Sequence, residues 1–180
     1  MSETTVQAPA LPEPGERLAG GWQVERVLST VGSVPGMLVV DEVGDRAVAF
    51  VLPPEAPDPP LDDERAARWG TLRRVFRDDT WGRLVIDGVP EGERLEDWLA
   101  QGREVPGAWV DRLSEDVRAD HRADAWHGQI ATDRIVVSEQ GLVVAGWGLG
   151  EDQAEAQRSR DLAGLAALSS RRGAPEAAPA

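Results

Sequence analysis

The stretch HRADAWHGQIATDRIVVSEQGLVVAGWGLG, residues 121–150, carries both histidines of the chain, two short aliphatic runs and two glycine-marked turns. Arg134–Ser138 (RIVVS) and Gly141–Ala145 (GLVVA) are rich in β-branched residues. Separated only by Glu139-Gln140, they read as a tight hairpin. Upstream, Pro106 opens a long helix on which Trp109, Leu113, Val117 and His121 recur four apart, along one face. His127-Gly128 then falls at the bend between that helix and the first strand, and Gly146-Trp147-Gly148 follows the second. Polar residues at such junctions are presented to a cleft.

Working towards the N-terminus, Trp22–Leu28, Met37–Glu42 and Arg46–Leu52 are three strands of a small antiparallel sheet. The proline-rich Pro53–Pro60 cannot continue a strand and reads as an exposed link. Asp62-Asp63-Glu64 opens a helix whose apolar stripe is Ala66, Trp69, Leu72, Arg73 and Phe76, with Gly70 weakening its middle. Trp81–Asp87 returns to strand, Gly88–Arg94 is a turn-rich crossing, and Leu95, Trp98 and Leu99 mark a short helix. Beyond the hairpin, Glu151–Arg160 is polar and helix-permissive. Asp161–Ser170 reads as a short buried helix capped by Asp161 and stopped by Gly173-Ala174-Pro175.

Composition narrows the function. Asp and Glu number 32 against 19 Lys and Arg, a formal net charge of −13, so the surface repels phosphate backbones and nucleic-acid binding is not expected. Cysteine is absent, which excludes thiolate nucleophiles, disulfides and Cys-based metal sites. No apolar run reaches membrane-span length and the start MSETTVQAPA lacks signal-peptide blocks, so a soluble, cytoplasmic protein is expected.

In order and spacing these elements resemble the protein kinase family, especially its bacterial Ser/Thr type. Gly21–Leu28 is similar to that family's first strand, and Arg46–Leu52 (RAVAFVL) to the strand ending "VAVK". The segment VPEGERLEDWL resembles the hinge and the helix after it. His121 sits at the His of "LHxxG" and His127 at the His of "HRD", while Gly146-Trp147-Gly148 lies where "DFG" is expected. Asp161–Leu168 with Gly173-Ala174-Pro175 resembles the helix that starts at a structural Asp and runs to "TGxxP". The resemblance covers residues 18–176. It implies an α+β, two-lobed kinase-like fold with a small antiparallel-sheet N-lobe (19–90) and a truncated helical C-lobe (91–175). A disordered leader (1–18) and a loose tail (176–180) flank them.

Phosphoryl transfer in such a fold needs glycine-loop amides over the phosphates, a Lys paired with a helix Glu, a general base and metal ligands. The resemblance places non-functional residues in these roles. Ser29 and Val31, with Val34 and Pro35 after them, degrade the glycine loop, and Phe50 replaces the Lys, with Glu64 as candidate partner glutamate. Gln129 stands at the general base, Ala131 at the catalytic-loop Lys, Arg134 at the metal-binding Asn and Gly146 at the magnesium-binding Asp. His127 and Asp161 are left with structural roles. Only ten residues separate Gly150 from Asp161, where an activation loop and a peptide-docking segment are expected.

The resemblance thus implies a pseudokinase: no catalysis, no cofactor, no metal, no bound magnesium-ATP, and an unidentified protein partner. Two other readings stay open, a divergent nucleotide-using transferase with relocated acids such as Asp133 or Glu64, and a structural domain sharing only generic element order. Phe50 and Val31 read as apolar plugs of the old nucleotide site. Seven Trp with two Phe and no Tyr is a skewed set. Trp81, Trp98, Trp126 and Trp147 are not all expected to be buried, and a part-exposed Trp would anchor a partner. Arg65, Arg68, Arg73 and Arg74 read as a solvated helix face.

Overall fold

The structure is a computed structural model that describes residues 11–31, 34–128, 130–149 and 154–173. Its larger sheet is built from β1 (Arg17–Leu18), β2 (Trp22–Val31), β3 (Val34–Val40), β4 (Arg46–Leu52), β5 (Leu72–Asp78) and β6 (Gly82–Gly88), antiparallel throughout and ordered β1-β2-β3-β4-β6-β5. Turn chemistry sets the hairpins. Asp41 Oδ1 accepts from the amides of Val43 and Asp45 at 3.0 and 2.9 Å, folding the β3–β4 turn. Asp78 does the same for Thr80 and Trp81 between β5 and β6, and its other oxygen takes the Ala19 amide at 2.8 Å, drawing the start of the sheet towards β5.

Strand alternation gives the sheet two apolar faces. Leu18, Trp22, Val24, Met37, Val39, Ala47, Ala49, Leu84 and Ile86 cluster on one, and Leu28, Val34, Leu38, Val48, Phe50, Leu52 and Val85 on the other, where Ala145 and Leu149 join them. Strand β1 lies partly inside the stretch expected as leader. Leu18 is buried and pairs with Trp22.

The helix expected across residues 62–76 is a single short one, α1 (Asp63–Trp69), and Leu72–Asp78 is strand. Asp62 caps α1 by accepting from the Arg65 amide at 2.9 Å. Gly70, at φ 68°, adopts the left-handed conformation that closes a helix, and the Thr71 amide bonds back to the Ala66 carbonyl at 3.1 Å. The apparent stripe through Leu72 and Phe76 was thus the chance continuation of a helical period across a helix stop.

A second, three-stranded sheet is made of β7 (Glu93–Arg94), β8 (Ile135–Ser138) and β9 (Gly141–Val144). Helices α2 (Leu95–Ala100), α3 (Gly107–Arg122) and α4 (Ala154–Ser169) pack with it. The third apolar cluster lies here, with Leu95, Val105, Val110, Leu113, Val117, Ile130, Ile135, Val144, Trp147 and Leu168 buried around Trp69 of α1. On α3 the buried row is Val110, Leu113, Val117 and Asp120, so Trp109 and His121 flank the core rather than lead into it. The helix expected to start at Asp161 begins earlier, at Ala154, within the stretch read as helix-permissive, and Asp161 lies in its middle instead of at its cap. Ala174 and Pro175, expected to stop that helix, lie outside the described residues.

Candidate functional site

The turn that leads from α3 into β8 is held by Asp161. Its Oδ1 accepts from the Gly128 amide at 2.7 Å and its Oδ2 from the His127 amide at 3.0 Å, while His121 Nε2 stands 3.0 Å from Oδ2. Burial raises the Asp161 carboxyl above its usual range, against the pull of His121 and the two amides. The His127 ring is fully buried and meets the Trp69 indole edge-on at 4.3 Å. Its Nε2 is 3.2 Å from the Val144 carbonyl, which can only accept, so Nε2 carries the proton. Burial, together with the cationic Arg73, Arg65 and Arg134, pushes His127 down to about 3. The imidazole is thus neutral, fully buried, bonded to a carbonyl and packed on an indole.

Where the sheet faces this loop, Phe50 is completely buried among Leu28, Val34, Val48 and Val85. Arg134 closes the space beside it. Its guanidinium carbon lies 5.3 Å from the Phe50 ring centroid, and Nη2 donates to the carbonyls of Ser29 and Val34 at 2.5 and 3.0 Å. Asp133 Oδ2 accepts from the Ser29 amide at 2.6 Å. Two consecutive residues of the loop thus grip the β2–β3 segment by its backbone. Gly36 faces the cation closely: a Cβ there would sit 3.2 Å from the guanidinium carbon, a tight contact. Burial lowers Arg134 to about 10, which leaves it charged at neutral pH.

A second set of cations ties down Gly146-Trp147-Gly148. Arg73 stands directly across from Asp87 in the β5–β6 register and holds it with two hydrogen bonds, Nε–Oδ1 at 2.7 Å and Nη2–Oδ2 at 2.8 Å. Asp87 Oδ2 also accepts from the Gly146 amide at 2.7 Å, and Arg73 Nη1 donates to the Trp147 carbonyl at 2.8 Å. The guanidinium lies 3.9 Å from the Trp147 ring centroid. Trp147 is fully buried and donates to Thr71 Oγ1 at 2.9 Å. Arg65 and Arg68 of α1 both reach the buried Asp120 of α3, which Trp69 Nε1 also contacts at 3.2 Å. The arginines expected on a solvated helix face are therefore, Arg74 excepted, the cations of two buried clusters.

These residues do not fit a magnesium nucleotide. The apolar ring at Phe50 offers no cation to a phosphate, and neither the guanidinium at Arg134 nor the bare Gly146 offers a side-chain oxygen to a metal. Among the described residues no group of three or more His, Cys, Asp or Glu is placed to hold a metal. Gln129 and the centre of the degraded glycine loop lie outside the described residues, and Ala131 has an extended backbone with its carbonyl on the Arg134 amide at 3.0 Å. Glu64 is an exposed side chain paired with Arg68 on its own helix, away from Phe50's buried cluster.

Arg73, Asp87 and Asp120 were missed by reading the sequence. Asp120 had a signal, because it extends the Val110–Leu113–Val117 row by three residues and so had to enter the core with a cation. Asp87 ends an apolar strand, where a solvated carboxylate is the ordinary reading.

No family model matches the sequence, and no curated protein matches it. Solved structures do. A pseudokinase, PAN3 of Neurospora crassa, superposes with a TM-score of 0.52 at 12% identity, covering 88% of this chain and 50% of that one. The PknI kinase domain of Mycobacterium tuberculosis gives 0.48 at 14% identity, covering 94% of this chain and 80% of that one. The chain has a protein-kinase-like fold, a curled antiparallel sheet joined to a remnant of the helical half, at low identity to either structure. It spans half the length of the PAN3 structure.

Proposed function

We propose that this chain is a catalytically inactive, truncated kinase-like domain that works as a protein-interaction or allosteric scaffold without binding magnesium-ATP. The observation that carries the reading is the Arg134 guanidinium beside the buried Phe50, bonded to the Ser29 and Val34 carbonyls. A side chain of the protein holds the ground where a nucleotide's phosphates and metal would have to lie, and a domain so plugged is stable without a ligand. Likeness to a pseudokinase and the absence of a metal-holding group among the described residues support it. The degenerate positions are Phe50, Gln129, Ala131, Arg134 and Gly146, with His127 and Asp161 keeping structural tasks. Of the described residues, no helix is long and apolar enough to cross a membrane.

Thermal unfolding of the full chain with ATP, with and without magnesium, tests the proposal. The expected outcome is an unchanged midpoint in both. A nucleotide at a hundred times its Kd adds about 2.7 kcal/mol to a folded state, so a magnesium-dependent rise of several degrees would overturn it.

A further inference from the structure

Away from the plugged cleft, the β6–β7 link, the β8–β9 turn and helices α2 and α3 enclose a groove of about 680 Å³ lined by Trp98, Trp109, Glu91, Glu93, Glu139 and Val137. Trp98 and Trp109 come from successive helices, their ring centroids 6.0 Å apart and their planes inclined at 52°. Both flank the core of the helical half and both stay partly exposed. Trp98 Nε1 is fixed on the Glu104 carbonyl at 3.0 Å, so its ring is oriented before anything binds. Glu91 and Glu139 are exposed and have no ion-pair partner among the described residues.

The molecule already shows which chemistry suits these indoles. The Arg103 guanidinium lies 3.7 Å from the Trp98 ring centroid and pairs with Glu93, a planar cation on an indole with a carboxylate beside it. Arg103 is not part of the groove lining, and of the three lining carboxylates it takes Glu93, which leaves Glu91 and Glu139. A net charge of −13 favours a cationic occupant and repels nucleic acid or an anionic membrane.

We propose that this groove docks a basic, arginine-bearing segment of a partner protein, with a guanidinium on the Trp98–Trp109 pair and Glu91 and Glu139 as its counter-ions. The inference rests on the scaffold reading above and names the chemistry of the partner. Arginine is favoured over lysine because the planar guanidinium stacks on an indole while still bonding a carboxylate.

The test uses the full chain, ¹⁵N-labelled, with the acetylated and amidated peptide (Arg-Gly)₄ as probe. It is run in about 150 mM salt, where attraction to net charge is screened beyond about 8 Å. The seven indole N–H signals are followed, those of Trp98 and Trp109 being assigned from the Trp98→Phe and Trp109→Phe variants. Saturable shifts are expected at these two indoles, with weaker binding of (Lys-Gly)₄. Glu91→Gln with Glu139→Gln should weaken binding about tenfold, equivalent to roughly 1.4 kcal/mol. Glu55→Gln with Asp79→Asn removes the same charge from exposed sites elsewhere and should leave affinity unchanged. Equal shifts at all seven indoles, or equal weakening by both charge pairs, would mean diffuse attraction and overturn the proposal. Absence of any shift would overturn it too. Neither result touches the plugged-cleft reading, which the magnesium-ATP experiment addresses separately.

Discussion

The sheet and the helical half meet at two joints made of different materials. At the cleft, Arg134 and Asp133 hold the β2–β3 segment through backbone carbonyls and an amide, and the ring beneath the cation is Phe50. At the other joint every cation finds a carboxylate. Arg73 is bidentate on Asp87, and Arg65 and Arg68 share Asp120. The first joint sets the side chains of Asp133 and Arg134 on backbone groups of the sheet. The second fastens the loop after β9 to the sheet, and its charges are sunk so deep that each depends on its partner. The Arg73 and Asp87 side chains are 2% and 0% exposed. Removing one member should therefore hurt far more at the second joint than at the first.

Asp87→Ala is the strongest test. It leaves Arg73 buried without its anion and the Gly146 amide without an acceptor, and breaking a buried pair by removing one partner costs about 3–5 kcal/mol. Against a whole-domain stability of about 5–15 kcal/mol, urea unfolding should show a large drop in midpoint. The double replacement Arg73→Met with Asp87→Leu should cost less than Asp87→Ala, because it leaves no orphan charge. If the double variant is the worse of the two, the joint is held by shape and by stacking on Trp147 more than by charge.

The next largest effect is expected at the first joint. Arg134→Met gives up, among its contacts, the hydrogen bonds to the Ser29 and Val34 carbonyls but also relieves the burial of a cation, so a loss of about 2 kcal/mol is expected, below that of Asp87→Ala. Urea unfolding of the two variants side by side checks the order. A loss at position 134 equal to that at position 87 would erase the distinction between the joints.

Much of this architecture can be read in the chain, and the same contrast explains where reading fails. β4, the β8–β9 hairpin and α3 are legible because aliphatic runs end at turn residues, and one face of each is buried by generic apolar packing. The strand β5 is not. Its pattern is inverted, with Leu72 exposed and Arg73 sunk, since the residue that makes the arginine a core residue is Asp87, fourteen positions on. Asp161 reads as a cap from its neighbours alone. Its actual partners, His121, His127 and Gly128, are more than thirty residues away and meet it only when α4 lies across the loop. Local signals carry apolar faces well and buried ion pairs badly, because a charge's partner is set by the assembled fold. Nothing local to Arg134 showed that its side chain would reach the Ser29 and Val34 carbonyls about a hundred residues earlier.

The smallest expected effect sharpens the comparison through pH. His127 is neutral in the folded protein, pushed down to about 3, while in the unfolded chain it titrates as an ordinary imidazole at about 6.5. Between those values the unfolded state binds the extra proton, so stability rises with pH and is lost as pH falls below 6.5. Asp161 acts with the opposite sign: burial raises its carboxyl, the folded state holds the proton longer, and its contribution falls as pH rises through that raised range. From pH 6 to pH 5 the contribution of His127 falls on acidification, against the opposite trend of Asp161. There the protein should lose about 1 kcal/mol on acidification, read as a falling urea midpoint. His127→Gln keeps an amide hydrogen to offer the Val144 carbonyl but cannot titrate, so its midpoint should be lower at neutral pH yet flatter across the same window. A variant as steep as the parent would show that the buried ring beside Trp69 is not the group that answers to pH.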